Sequence, residues 1–404
     1  MDERIVIVGA GQAGAALAAK LRAIGYGGPV TLIGEEPAPP YQRPPLSKKY
    51  LLGEMAAERL FLRPPEFYPE QGIDLLTGVA VVSIDRAGKA VALSDGRRLP
   101  YDRLALTTGS RPRLLPEATG GALGGVHAVR SLADVDRMAP DFREGARLLI
   151  VGGGYIGLEA AAVAAAKGLR VTLIELAPRI LQRVAAAETA DYFRDLHRAH
   201  GVDIREGVGL DRLEGEGGRV ARARLATGET LDVDLVVVGI GVLPNQELAA
   251  EAGLKTGNGI ETDETCATSD PAIFAAGDCA SLLWEGVRIR LESVQNAIDQ
   301  AEAAASCMIG AGEPYRPSPW FWSDQYDVKL QIAGLNLGHD LVVTRDGEGV
   351  AHSVWYYRGQ RLLAVDAMND PRAYMTAKRL IEAGKSPAPE RAADPATPLK
   401  ALMD

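Results

Sequence analysis

The residues whose types and spacing could do chemistry are two sets of glycines, each followed at a fixed distance by an acid. Gly152, Gly154 and Gly157 stand in Gly152-Gly153-Gly154-Tyr155-Ile156-Gly157, and Glu175 lies 23 positions past Gly152. In this spacing the first glycine allows a tight turn and the second lets backbone N–H groups approach a pyrophosphate. The third lets helix and strand pack closely, and the helix N-terminus favours the phosphate charge. A carboxylate at the distance of Glu175 accepts hydrogen bonds from an adenosine ribose. Gly9, Gly11 and Gly14 repeat the pattern, with Glu35 26 positions past Gly9. One such cluster alone is more often an ordinary turn, but two complete ones imply two dinucleotides. A protein that holds two dinucleotides at once usually moves a hydride from a nicotinamide to a flavin.

The flanking sequence supplies the elements that must position these turns. Residues 148–151 are an apolar run, an alanine-rich stretch follows the turn, and a second apolar run ends in Glu175, which reads as strand, turn, helix, strand, acid. At the N-terminus residues 4–8 read as a strand, 15–24 as a helix and 30–33 as a strand. The run 235–245, which contains Gly241, is apolar without alternation and fits a buried parallel strand. Residues 273–276 are a shorter strand ending in Gly277-Asp278, where Asp278 reads as the cap of a following helix, and 297–310 are an alanine-rich helix.

Between these units, residues 37–48 are dense in proline, a stiffened loop bearing Arg43 and Lys48. A loop lysine is most often just solvated; beside a flavin, a fixed cation stabilises the anionic reduced ring. Residues 79–84 and 89–93 are alternating strands, and the strand that runs into Thr107-Thr108-Gly109 marks a first boundary. The sheet of the second unit is expected to continue through 202–204, 220–225 and 231–233. After the proline-rich stretch 313–319 the character changes to antiparallel strands at 320–326, 329–333, 350–357 and 362–366, then a helix over 371–383. Trp355 reads as part of a small aromatic core.

The chain has 404 residues, 47% hydrophobic content and a formal net charge of −9. That length suits two or three domains. The negative charge argues against a nucleic-acid partner, and with no run of 18 apolar residues and no signal peptide visible, a cytoplasmic protein is expected. Cys266, Cys279 and Cys307 are the only cysteines. They form no closely spaced redox pair and are too few for four-thiolate ligation of an iron–sulfur cluster, so they read as small buried side chains.

The motifs IVIVGAGQAG, RPPLSK, LLIVGGGYIGLE, FAAGDCA, LESVQNA and WFWSDQY together resemble the FAD-dependent, NADH-linked ferredoxin reductases of the putidaredoxin reductase type, from Arg4 to the tail. The resemblance implies an α/β fold with two Rossmann-like dinucleotide-binding domains, glutathione-reductase-like, plus an α+β C-terminal domain whose antiparallel sheet closes over the flavin. The implied domains are 1–110 with 237–315 for FAD, 111–236 for NADH, and 316–404 as the C-terminal interface domain. Ala13, Glu35, Arg43, Lys48, Val81, Arg130, Asp278 and Val294 match FAD contacts. Glu159 and Glu175 match residues at the nicotinamide end and the adenosine ribose of NADH, and Trp322 resembles the aromatic at the flavin face. Tyr155, Ile156, Gly241 and Glu292 join the candidate cofactor contacts, with Lys48, Glu159 and Trp322 as the catalytic set and no metal. The usual A-T-G is here Thr107-Thr108-Gly109.

The expected activity is hydride transfer from NADH to FAD and single-electron transfer to a [2Fe-2S] ferredoxin that serves a cytochrome P450 or a ring-hydroxylating oxygenase. A monomer or weak dimer is expected. Glu175 lacks a directly following arginine, which favours NADH over NADPH, with Arg179 close enough to bear on the choice. Glu302 stands where a relative carries a basic residue, so docking falls to cations such as Arg63, Arg316, Lys378, Arg379 or Lys400. An NADH oxidase, a quinone or monodehydroascorbate reductase, and a non-catalytic NADH-responsive flavin protein stay open as alternatives.

Overall fold

In the computed structural model, which describes residues 3–404, the Ile5–Val8 strand is buried along its whole length. It lies in the middle of a parallel sheet ordered Ile273–Ala275, Arg103–Leu106, Ile5–Val8, Val30–Gly34, Ile73–Thr77. A strand covered on both faces needs apolar residues at every position, which is why these read as continuous aliphatic runs. Helices Gln12–Ala23 and Val294–Met308 pack on one face, where Ile5, Ile7, Leu17, Leu21, Ala301 and Ala304 share a core. On the other face Val6, Val8 and Ile33 meet Ile84, Val91 and Leu93 of an antiparallel sheet made from Val81–Asp85, Ala90–Leu93 and Arg98–Pro100. These segments belong to one unit, built from residues through Arg43, Met55–Arg111 and Val242–Pro319.

The other unit comprises Pro44–Glu54, Pro112–Gly241 and Trp320–Asp404. It carries a second five-stranded parallel sheet, ordered Asp203–Glu206, Arg170–Glu175, Arg147–Val151, Leu235–Val238, Val126–His127. Helix Tyr155–Ala166 buries Leu158 together with Gly157, Ala160, Ala161, Ala162 and Ala164, whose small side chains let it lie close to the sheet. Residues 220–225 and 231–233 do not continue this sheet. Leu210–Glu216, Arg219–Leu225 and Thr230–Asp232 form a separate antiparallel sheet. The cause is visible in the burial of the second of these strands: Val220, Ala223 and Leu225 are buried while Arg219, Arg222 and Arg224 are exposed, the signature of a sheet wet on one side.

The C-terminal part of this unit is an antiparallel sheet ordered Trp320–Gln325, Val328–Gly334, Arg361–Met368, His352–Arg358, Leu341–Asp346. Helix Pro371–Glu382 packs on it, and Trp355 is fully buried beneath, in a core with Val365, Tyr374 and Leu380. The strand Leu341–Asp346 escaped the sequence reading. The expected boundary at 236/237 cuts through Leu235–Val238. That strand is paired residue for residue with Leu148–Val151, so it stays whole and the crossing falls between Gly241 and Val242. The segment Pro44–Glu54, expected with the first domain, also falls in this unit and holds the π-helical turn Leu46–Tyr50.

Candidate functional site

In the first unit the glycines divide the labour their spacing suggests. Gly9 has φ +109°, and a Cβ there would sit 2.3 Å from Thr107 O; a Cβ on Gly14 would sit 2.0 Å from Gly9 O. A Cβ on Gly11 meets nothing within 4 Å. Gly11 also caps helix Gln12–Ala23 with no side-chain hydrogen bond and no acid in the first turn, so its first N–H groups stay available. Thr107, where alanine is usual, is buried with its hydroxyl 2.8 Å from Gly9 O and 3.1 Å from Val8 O, fastening the turn to the neighbouring strand. Glu35 is exposed at the end of Val30–Gly34.

The other candidates of this unit take up varied roles. Arg43 pairs with Glu36 at 2.6 Å and stands 5.1 Å over the Tyr41 ring. Ala13 is buried and Val81 opens its strand. Asp278 is not a helix cap, because the strand Ala280–Trp284 follows it; its carboxylate accepts from Ser110 Oγ at 2.9 Å. Glu292 pairs with Arg290 at 2.5 Å, and Val294 opens its helix behind Ser293, whose hydroxyl accepts from Asn296 N. Cys266 and Cys279 are buried, Cys307 is partly so, all three are free, and burial raises each thiol pKa.

The second unit repeats the cradle. Gly152 has φ +113° with a Cβ position 2.4 Å from Gly239 O, a Cβ on Gly157 would meet Gly152 O at 2.1 Å, and Gly154 again faces open space. Helix Tyr155–Ala166 begins at Gly154 without a side-chain cap. The Glu175 carboxylate accepts from Gly153 N–H at 2.6 Å and Ala177 N–H at 2.8 Å, which fixes a negative charge beside the turn. Arg179 donates to the carbonyls of Ile180, Ala185 and Ala186, so its guanidinium is tied to its own loop. Ile156 is 48% exposed beside the turn, and Gly241 has φ +100°. The Tyr155 ring lies 5.1 Å from Phe321, with its hydroxyl buried. Arg130 precedes helix Leu132–Met138, and its N–H donates to Asp134.

The Lys48–Glu159 pair is largely withdrawn from water. At Lys48 the Leu46–Tyr50 turn breaks from helical geometry, with φ −123° and ψ −111°. Lys48 Nζ lies 3.0 Å from Glu159 Oε1 and 3.8 Å from Asp324 Oδ2. Ser323 Oγ donates to the same Glu159 oxygen at 2.7 Å. Side-chain exposure is 19% for Lys48 and 13% for Glu159. Burial raises the Glu159 pKa, the Lys48 charge and the Ser323 hydroxyl pull it back, and burial prevails. A carboxylate perturbed by desolvation together with a specific cation marks a functional candidate. Trp322 neighbours Ser323 on its strand, its ring 5.5 Å from Trp320. Trp320, Trp322, Lys329, Gln331 and Tyr374 line a recess of about 320 Å³, and Lys378 Nζ stands 5.7 Å over Trp320.

The structure thus brings Lys48 and Glu159 into contact and adds Ser323 and Asp324, which sequence reasoning did not single out. Ser323 and Gln325 are fully buried at alternate positions of Trp320–Gln325. Polar residues on the inward side of a strand are the signal that could have flagged them. Each glycine turn fits a dinucleotide pyrophosphate: an uncapped helix N-terminus, a middle glycine open to solvent, and outer glycines packed too tightly for any side chain. No helix among the described residues is long and apolar enough to cross a membrane.

Comparison with known proteins bears on both parts of the chain. Residues 3–301 match the family model described as pyridine nucleotide-disulphide oxidoreductase, and residues 320–403 match the reductase C-terminal model. The chain is 43% identical to rhodocoxin reductase of Rhodococcus erythropolis over 393 residues, 96% of this chain and 92% of that protein. It is 42% identical to putidaredoxin reductase CamA of Pseudomonas putida over 410 residues, 100% of this chain and 97% of that protein. Among solved structures, that of the covalent putidaredoxin reductase–putidaredoxin complex superposes with a TM-score of 0.96 at 41% identity, covering 100% of this chain and 98% of that one.

Proposed function

This chain belongs to the pyridine nucleotide-disulphide oxidoreductase family, and from that premise we propose that it is an NADH-dependent flavoprotein reductase. It passes single electrons to a [2Fe-2S] ferredoxin that serves a cytochrome P450 or a ring-hydroxylating oxygenase. The observation that carries this reading is the presence of two uncapped glycine cradles in one polypeptide. Bound FAD supplies acceptance of a hydride and return of the electrons one at a time, the conversion needed between a nicotinamide and an iron–sulfur centre.

The chain's own residues hold and orient. Gly9, Gly11 and Gly14 cradle the FAD pyrophosphate and Glu35 takes its ribose, with Ala13, Arg43, Val81, Arg130, Asp278, Glu292, Val294 and Trp322 as further contacts. Gly152, Gly154 and Gly157 cradle NADH, flanked by Tyr155, Ile156 and Gly241. Glu175 takes the adenosine ribose and repels a 2′-phosphate, and Arg179, tied to three carbonyls, does not offset it. Lys48 is the fixed cation that supports negative charge on a reduced ring, and Glu159 holds that ammonium in place at the nicotinamide end. No acid–base or nucleophilic side chain is required, so the protein contributes orientation and electrostatic support.

The one-electron partner is supported by relatives named for ferredoxin reduction and by the solved reductase–putidaredoxin complex. The chain supplies three free cysteines and so brings no cluster of its own. The reaction belongs in the cytoplasm, where NADH is generated, and the protein works as a monomer or weak dimer. The test is steady-state NADH oxidation with and without a panel of [2Fe-2S] ferredoxins. Turnover should rise at least tenfold with an accepted ferredoxin; full turnover on oxygen or a quinone alone, indifferent to ferredoxin, would replace this reading with an oxidase or quinone reductase.

A further inference from the structure

We propose that Ser323, Gln325, His197 and Tyr326 form a one-way string of hydrogen bonds whose task is to keep Glu159 ionised as the partner of Lys48. The inference deepens the reading of Glu159 at the nicotinamide end and, for its role in the reaction, rests on it.

The direction of the string follows from the donors and acceptors present. Lys48 Nζ can only donate, so Glu159 Oε1 accepts at 3.0 Å. Ser323 Oγ, 2.7 Å from the same oxygen, places its one proton on that contact. Its lone pairs then accept from Gln325 Nε2 at 3.1 Å. That leaves Gln325 Oε1 facing His197 Nε2 at 2.8 Å, so Nε2 carries the imidazole proton. His197 Nδ1 is left as acceptor for the Tyr326 hydroxyl at 3.1 Å. Turning the Gln325 amide over would reverse every bond and point the Ser323 lone pairs at a carboxylate 2.7 Å away. An ionised Glu159, which can only accept, therefore fixes the direction of the string, and the string in turn presents a proton to that carboxylate.

The setting suits this task. Ser323, Gln325 and His197 are fully buried, and each has its partners. Buried polar groups are costly unless satisfied, and apolar residues would serve a merely structural strand at these positions. The inner end is where opposition is strongest: burial and the charge of Asp324 both disfavour ionised Glu159, against Lys48 and Ser323. Burial, with a smaller push from His200, holds the His197 pKa down to about 4, so the ring is neutral and can donate at one nitrogen and accept at the other. Tyr326, at the outer end, sits at φ +54° in the hairpin turn with His200 stacked on its ring at 3.7 Å.

The test uses the holoprotein and reads the carboxyl directly. Infrared titration of the protonated-carboxyl band, assigned with Glu159→Gln, gives the Glu159 midpoint in wild type, Ser323→Ala and Gln325→Leu. Ser323→Ala should raise it by about one pH unit, a tenfold change in proton affinity, and Gln325→Leu by several tenths in the same direction. Nitrogen-15 spectra should show His197 neutral and protonated at Nε2 at neutral pH. Tyr326→Phe, which removes one partly buried hydroxyl and is expected to fold, should release the ring into a mixture of tautomers. An Nδ1–H tautomer in wild type overturns the proposal, as does a midpoint that moves in Ser323→Ala but not in Gln325→Leu. If the midpoints move as expected while Glu159→Gln leaves flavin reduction by NADH unchanged, the string stands, and the placement of Glu159 at the nicotinamide is what fails.

Discussion

Replacing Lys48 by methionine keeps the length of the side chain and removes its charge, leaving Glu159 with Ser323 as a partner and Asp324 as a like charge nearby. Breaking a buried ion pair from one side costs about 3–5 kcal/mol; the residual exposure of 19% and 13% and the retained Ser323 bond reduce this to about 2–3 kcal/mol. For units of this size that is a fall in Tm of about 4–10 °C at neutral pH. The sign of the pH dependence follows from Glu159. Its folded-state pKa is already raised by burial, so ionising Glu159 costs more in the fold than in the unfolded chain, and stability is lost as pH rises through that pKa. Without Lys48 the penalty grows, so the gap between wild type and Lys48→Met opens as pH rises and closes in acid. Glu159→Gln should cost only about 1 kcal/mol, because Lys48 keeps Asp324 and some water. The double variant should recover about 1.5 kcal/mol of the summed losses. Calorimetry of the four holoproteins across pH measures this directly. Additive losses, or a gap that does not change with pH, would refute the reasoning.

The glycines offer a sharp contrast. Gly157→Ala drives a methyl to 2.1 Å from Gly152 O and should destabilise by about 3 kcal/mol or more, whereas Gly154→Ala meets nothing and should leave Tm unchanged while weakening NADH binding at least tenfold, read by titration. Gly11→Ala should likewise leave the fold intact and speed FAD loss on dialysis. NADH should be preferred over NADPH by about 100-fold in kcat/KM, and Glu175→Ala, which frees the N–H groups of Gly153 and Ala177, should narrow that preference about tenfold; equal values in wild type would contradict it. Asp366 is fully buried between Tyr356 and Thr189, and burial pushes its pKa up to about 6. Its ionisation costs the fold stability as pH climbs from the ordinary carboxylate range past 6. Asp366→Asn should therefore gain roughly 2 kcal/mol over wild type at pH above about 7 and nothing near pH 4, measured by thermal melts.

Both dinucleotide units were legible because their signals are local: a buried parallel strand is apolar throughout, and the outer two glycines of each turn are forced by backbone contacts of 2.0–2.4 Å. Thr107 was visible only as a departure from the usual alanine, and its hydroxyl proves to tie the first glycine turn to its neighbouring strand. What the sequence hid depends on distant partners. Asp278 looked like a cap because helix and strand are hard to tell apart after a glycine, yet a strand follows and Ser110, far back in the chain, supplies its hydrogen bond. The run 220–225 reads as a continuation of the second parallel sheet yet lies in a separate antiparallel one, since its alternation reports one wet face and not which sheet it joins. Lys48 and Glu159 were each named, but no spacing announces that a π-helical turn delivers the one to the other. His197 carried no signal at all: a single histidine on an amphipathic helix reads as core until Gln325 is found opposite it.

The central claim is that one polypeptide holds FAD and accepts a hydride from NADH onto it. Anaerobic mixing of the FAD-loaded protein with NADH tests it most directly. The account predicts rapid bleaching of the flavin absorbance, undone by addition of an oxidised [2Fe-2S] ferredoxin. A protein that stays colourless after FAD loading, or a flavin band that NADH leaves untouched, would contradict it.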